Sequence, residues 1–446
     1  MSPGLFDEIL ARGGARDAVS DGAWLAAMLD VEAALAHATA EAGGLDAAAA
    51  GAIAATCRPE RFDVAALAVE AAAAGNPVVP LVAALRAAVR VDAGDGPAAA
   101  VHRGATSQDV VDTASVLVTR GALAVITSDL AAAADAAAGF ARGHRDRAAA
   151  GRTLLQQAAP ITVGLRAAGW AHGLDEAARA LRSWRPAVQL GGAVGTLAAF
   201  AGRGRAVRAA LARRLDLDEP TLAWHTERGR VAELAGLLGR AGAAIGSVST
   251  DLVLLAQTEV GEVREDVPGR GGSSTLPHKR NPVAAISARA AAVTVPGLVA
   301  ALLTAASGHE YERAAGPWHA EWRPTSELLR TVGSGAAWLA DGLGHLVLDP
   351  DRVAASLDAT GGLLLAENVS TSLRGRIEDP KGLVTAAAST SLDEGRPFAE
   401  VLADALAGTD VTRTEIDAAH DPAAHVGEAD ELDDAFLAAR DELEHP

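Results

Sequence analysis

Val231–Leu255 reads VAELAGLLGRAGAAIGSVSTDLVLL, and the order of its apolar residues decides the fold class. Val231, Leu234, Leu238, Ala241, Ile245, Val248, Leu252 and Leu255 recur in alternating steps of three and four, the pattern of one long helix. Leu237 and Ala244 flank this stripe and make it too wide for a two-stranded seam. Such a helix belongs in the middle of a bundle or of an oligomer core. Similar alanine-rich helical patterns extend over about Val110–Arg145, Thr162–Arg185, Pro282–Ser307 and Ala320–Leu346, and few segments read as strands. The expected architecture is all-α with three domains. Residues 1–105 form a small helical unit, 106–350 a central long-helix bundle, and 351–446 a second small helical unit with a peripheral acidic tail.

Composition narrows the function as well as the fold. The chain has 446 residues, half of them hydrophobic but only 3% aromatic, which suits close helix packing and disfavours a β-sandwich or an unfolded chain. Lys and Arg total 39 against 57 Asp and Glu, a net charge of −18. Nucleic-acid binding is not expected of such a surface, and any anionic ligand needs a local basic pocket. Cys57 is the only cysteine, so no intrachain disulfide can form, and no metal-binding spacing or nucleotide fingerprint appears. Neither a metal nor an organic cofactor is implied. Asp7, Glu8 and Asp17 precede any long apolar run, which is unlike a signal peptide and points to the cytoplasm. The uncharged stretch Ala290–Ser307 is alanine-rich and interrupted by Pro296 and Gly297, so it is expected as a buried bundle helix rather than a membrane span.

Three polar segments interrupt the helices. Gly271–Pro282, GGSSTLPHKRNP, joins glycines that permit movement to serines, a lysine and an asparagine that can donate hydrogen bonds or carry a proton. His102–Thr113, HRGATSQDVVDT, reads as a helix start: Thr106 and Asp109 form a possible capping box, and the free N–H groups there can hold an anion. Gly151–Thr162 reads GRTLLQQAAPIT.

These segments resemble the three motifs of the fumarase/aspartase superfamily. The first matches the signature loop S-S-x-M-P-x-K-x-N at Ser273, Ser274, Pro277, Lys279 and Asn281, with Leu276 for the methionine. The resemblance implies that Ser273 is the catalytic proton carrier and that Lys279 and Asn281 hold a substrate carboxylate. It assigns substrate contacts to His102, Thr106 and Ser107 in the second segment, and to Thr153 and Gln156 in the third. Arg152 and Arg280 are further candidates for substrate carboxylates. The departures are equally informative: Leu154, Gln157 and Asn76 stand where members of the superfamily carry active-site histidines.

An amine or hydroxide leaving group needs a positioned acid, which contributes roughly 10²–10⁴-fold. A carboxylate, whose conjugate acid has a pKa of about 4, does not. Lactone opening and its reverse fit a site without that acid. The chain is similar overall to bacterial 3-carboxy-cis,cis-muconate cycloisomerases, in GNPVVPLV (75–82), QLGGAVGTLA (189–198), WHTERGR (224–230) and ERAAGPWHAEW (312–322) besides the three motifs. That resemblance implies lactonisation of a small polycarboxylate, 3-carboxy-cis,cis-muconate, to 4-carboxymuconolactone within protocatechuate catabolism. The alternatives are another lyase on this fold, acting on nitrosuccinate or adenylosuccinate, or a non-catalytic structural homologue. The superfamily also implies a homotetramer whose active sites combine segments from three subunits. Trp224, Trp318 and Trp322 are either core residues or a wall of the substrate pocket.

Overall fold

The structure is a computed structural model and describes residues 4–444. Five long helices dominate it: Ser107–Gly143, Val163–Arg182, Gly229–Leu255, Val283–Ser307 and Pro317–Gly344. Each boundary lies within three residues of the helical pattern in the sequence. Shorter helices precede and follow them, and the fold is mostly helical as expected. The chain divides into two compact units. One comprises the residues up to Asp129 with Ala177–Gly246 and Ser287–Ala337; the other comprises Leu130–Glu176, Ser247–Ile286 and the residues from Trp338 onward.

In the first unit the heptad residues Leu234, Leu238, Ala241 and Ile245 are buried. A row of glycines beside them lets another helix come close. A Cβ on Gly242 would lie 2.7 Å from Val295, one on Gly246 3.2 Å from Ala292, and one on Gly239 3.4 Å from Val299. The partner numbers fall as the glycine numbers rise, so Gly229–Leu255 and Val283–Ser307 run antiparallel. Gly335 meets Ala291 and Ile245 at 3.3 Å, bringing the Pro317–Gly344 helix to the same seam. Small residues here replace the aromatic bulk that the composition lacks. The N-terminal helices start on their own side-chain caps, Ser20 for Asp21–Glu41 and Asp46 for Ala47–Thr56.

The second unit contains structure that the sequence pattern did not suggest. Ala148–Thr153 and Gln156–Thr162 pair as an antiparallel hairpin, so the GRTLLQQAAPIT segment is a β-element. Its strands are short and built mostly of Ala and Gln, without the β-branched alternation that marks a strand. A second strand pair joins Val263–Glu265 to Leu346–Leu348. The C-terminal helices close around Phe398, Leu402, Val384 and Ile416.

One expectation needs correcting. Ala290–Ser307 is not buried inside the chain: only 22% of the apolar window of Val283–Ser307 is covered, against 67% for Ser107–Gly143. By length and composition alone, these two helices and Gly229–Leu255 could each cross a membrane. Most of the apolar window of Val283–Ser307 is thus left uncovered by the other described residues of the chain.

Candidate active site

In the first unit, the start of the Ser107–Gly143 helix is fixed by Asp109. Its carboxylate accepts hydrogen bonds from Thr106 N, Gly191 N and Gly192 N at 2.9 Å each, and His225 Nε2 lies 2.7 Å away. This ties the helix start to the QLGGAVGT segment. The expected capping box is half formed. Thr106 N donates to Asp109, but Thr106 Oγ1 instead accepts from Arg313 NH1 at 2.7 Å. Arg313 has no carboxylate partner within ion-pair distance among the described residues. Burial holds its pKa below the usual range despite the opposing charges of Asp109 and Asp112. Thr106 and Ser107 are half-buried, and the nearby His102 ring sits with Nδ1 2.5 Å from Glu32 Oε1.

Behind this start lies a buried charge network. Arg228 donates to Asp112 at 2.8 Å and to Glu321 Oε1 at 3.1 Å, and its guanidinium lies 4.9 Å from the Trp224 ring. Burial disfavours its charge, but Asp112 and Glu321 outweigh that and raise the pKa. Trp318 Nε1 donates to Asp112 at 3.0 Å, and His309 Nε2 lies 3.0 Å from Glu321. Trp224 and Trp318 are thus core residues that brace charges, and Trp322 packs edge-on to Trp318 at 4.8 Å. Trp322 Nε1 and His309 Nδ1 are buried without a partner among the described residues.

In the second unit, the Ser273 segment is a loop closed at its base. Asn281 N and Nδ2 both donate to Gly271 O, at 2.8 and 3.0 Å. Gly271 has φ +75°, and a Cβ there would sit 2.3 Å from Asn281 O, so only glycine fits. Glu265 caps the following helix through Ala284 N and Ala285 N, and Arg270 reaches both Glu265 and Asp341. Between these anchors Ser273 is half-buried, while Ser274–Arg280 are exposed. Ser273 Oγ accepts from Thr275 N at 3.3 Å and Leu276 N at 3.1 Å. Lys279 is one of two lysines in a chain that otherwise uses arginine, and it has no carboxylate partner among the described residues.

The hairpin carries Arg152, Thr153 and Gln156. Thr153 and Gln156 are exposed, paired with each other across the turn. Arg152 is committed to a buried carboxylate: NH2 lies 2.5 Å from Glu262 Oε1, and Arg166 shares the same group at 3.3 Å. Gln157 donates to Ser356 O at 2.7 Å, with its Oε1 buried and unpaired among the described residues. The turn residues Leu154 and Leu155 have φ of 53° and 64° and are 97% and 71% exposed. Two-residue turns of this kind favour Asn-Gly, because each left-handed non-glycine residue costs about 1–2 kcal/mol.

His102, Thr106 and Ser107 therefore belong to one unit, and Ser273, Lys279, Arg280, Asn281, Arg152, Thr153 and Gln156 to the other. Sequence reasoning did not single out Glu32, Asp112, Arg228, Arg313 or Glu321. A signal existed for some of these: Asp109 and Asp112 stand one turn apart in an apolar helix, a costly placement unless both are paired.

A lyase family's sequence pattern matches residues 14–297. Over 98% of both chains, the sequence is 43% identical to the 3-carboxy-cis,cis-muconate cycloisomerase of Bradyrhizobium diazoefficiens. It is also 43% identical to the nitrosuccinate lyase of Streptomyces davaonensis, over 99% of this chain and 96% of that one. The solved 3-carboxy-cis,cis-muconate lactonizing enzyme of Pseudomonas putida is similar with a TM-score of 0.92 and 38% identity, covering 98% of this chain and 99% of that one.

Proposed function

The chain belongs to the lyase family of the fumarase/aspartase superfamily and is an enzyme of the cycloisomerase–lyase type, and from that premise we propose that it closes 3-carboxy-cis,cis-muconate to 4-carboxymuconolactone in the cytoplasmic catabolism of protocatechuate. One observation carries the choice of reaction. The three positions where relatives could hold an acid are filled by Leu154, by Gln157, whose amide is bound to Ser356 O, and by Asn76, whose Oδ1 accepts from Val78 N and Val79 N. None of these side chains can protonate a leaving group. A carboxylate leaves, or in reverse attacks, without such help.

In the lactonising direction, a carboxylate oxygen of the substrate bonds to one carbon of a double bond conjugated with another carboxylate. The electron pair moves onto that carboxylate as an aci-anion, and the Ser273 hydroxyl delivers a proton to the alpha carbon. Ser273 is left as an alkoxide, which regains its proton from solvent. The two backbone N–H groups directed at Ser273 Oγ support this role, because donors to the charged form lower the cost of making it. Lys279, Asn281, Thr106, Ser107 and His102 stabilise the carboxylate charge, with Thr153 and Gln156 as polar contacts. Arg280 is free to reach a carboxylate, whereas Arg152 acts by holding Glu262.

The native form is a homotetramer of about 180 kDa, four times 45.0 kDa, with sites assembled from several subunits. Support comes from the uncovered face of Val283–Ser307 and the exposed leucine turn of the hairpin. The three-part division at about residues 105 and 350 belongs to the same proposal. A stable monomer in light scattering at micromolar concentration removes the shared site.

Nitrosuccinate cleavage is the alternative, favoured by the equal identity to a nitrosuccinate lyase. Nitrite is also a weak base and needs no acid. Ultraviolet loss of carboxymuconate, measured beside nitrite release from nitrosuccinate and cleavage of adenylosuccinate, decides. Faster turnover of nitrosuccinate overturns the lactonisation assignment.

A further inference from the structure

Glu32 lies outside every motif, in the helix Asp21–Glu41. It is 1% exposed, and its Oε2 is buried without a hydrogen-bond partner among the described residues. A carboxylate so placed is unfavourable unless a cation answers it. The group that does is the His102 ring, with Nδ1 2.5 Å from Glu32 Oε1. His102 is itself held in the left-handed region at φ 60°, a conformation that a residue with a Cβ keeps only when its surroundings impose it. Gly104 locks the same turn: its φ is +82°, and a Cβ there would sit 2.6 Å from the Phe200 ring. The opposite ring nitrogen, Nε2, has no hydrogen-bond partner among the described residues and is not enclosed.

We propose that Glu32 is a positioning residue, clamping His102 Nδ1–H so that the ring stays an imidazolium whose Nε2–H donates to a substrate carboxylate received at the Thr106–Ser107 segment. The identity of that anion rests on the function proposed above; the clamp does not. Ring charge decides the sign of the contact. A neutral imidazole bound to Glu32 through Nδ1–H presents a lone pair at Nε2 and repels a carboxylate, whereas the imidazolium presents a donor. The charged groups that face the pair are known. Burial works against the His102 charge, but the Glu32 hydrogen bond and charge, with Asp109, outweigh it and raise the pKa, and Arg86 opposes them. Glu32 also acts on Cys57, whose thiol burial and then Glu32 and Asp30 push up to about 12.

The test compares wild type, Glu32→Gln, His102→Asn and the double variant. Diethyl pyrocarbonate acylates only neutral imidazole, so its rate at His102, read by peptide mass spectrometry across pH, reports ring charge without reference to activity. His144, held below the ordinary range by burial and then Arg147, is the internal control. In wild type the reactivity midpoint of His102 lies above that of His144. Glu32→Gln lowers the His102 midpoint by at least about one pH unit and leaves His144 unchanged. At pH near 7.5 it raises KM at least about tenfold while kcat changes less than about threefold. His102→Asn, which suits the left-handed backbone, raises KM alike, and the double variant adds little.

An unmoved midpoint in Glu32→Gln overturns the clamp. If that variant does not fold, a wild-type His102 midpoint at or below that of His144 does the same. A shifted midpoint with unchanged KM overturns the substrate contact. Absence of turnover on carboxymuconate and nitrosuccinate refutes the functional assignment instead, and the reactivity comparison still decides the clamp.

Discussion

The start of the Ser107–Gly143 helix and the Ser273 loop both carry family motifs, yet they are held in opposite ways. The helix start is tied down by buried charge: Asp109 accepts three backbone N–H groups, and Asp112, Arg228 and Glu321 form an ion network that is almost wholly inside the protein. The loop is held only at its base and by bonds to its own backbone. Substitution should therefore cost stability in the first region and turnover in the second. A buried network with one partner removed keeps unpaired charges in a medium that cannot solvate them. A half-exposed loop residue leaves nothing of that kind behind.

Arg228→Ala tests the rigid side and has the largest expected effect. It strands Asp112 and Glu321, so the chain should lose about 3–5 kcal/mol of stability, read as a lower denaturation midpoint in urea. A loss below about 1 kcal/mol would show that the network is not the anchor described. Ser273→Ala tests the other side. The fold and melting temperature should stay as in wild type, while turnover falls at least about 10²-fold. Near-normal turnover in the folded variant would move the proton-carrying role to another residue, Ser274 first.

The hairpin tip sharpens the contrast. Replacing Leu154-Leu155 by Asn-Gly relieves the left-handed strain, so a tip that stays in water should make the protein more stable. A tip covered by another subunit should instead weaken the tetramer, with about a tenfold rise in the dissociation constant by analytical ultracentrifugation. The second result is expected, and a more stable tetramer would sink the idea of a covered tip. Gln157→His has the smallest expected effect. With a carboxylate leaving group, kcat/KM on carboxymuconate should change less than about tenfold over pH 5.5–8.5. A tenfold or larger gain on adenylosuccinate, beside negligible activity on carboxymuconate, would overturn the leaving-group assignment.

How much of this was legible in the sequence follows from the range of the forces involved. The heptad stripe Val231–Leu255 and its neighbouring helices were visible because apolar periodicity is a local signal. The loop Gly271–Pro282 was visible because it concentrates polar residues between helices. The hairpin was not, since its few branched residues, Thr153, Ile161 and Thr162, do not alternate along its strands and its turn uses two leucines where Asn-Gly would announce it. Glu32 was hidden for another reason: an acid two residues from Asp30 in an alanine-rich helix reads as solvent-facing until its distant partner, His102, is known. The exposure of Ala290–Ser307 was misjudged because apolar content says that a face must be covered, but not which chain covers it.

The clasp between Gly271 and Asn281 has one more consequence. It isolates residues 272–280 as a patch whose opening breaks few bonds and disturbs neither the Glu265-capped helix nor the Arg270–Asp341 pair. Local opening there should lie near the bottom of the chain's free-energy scale, and the Asn281 amide should mark its edge. In deuterium the backbone amides of the patch should exchange early, Asn281 N–H much later, and the buried face of Gly229–Leu255 last of all. Ser273, the proposed proton carrier, thus sits on a segment that can rearrange many times within the lifetime of one folded molecule.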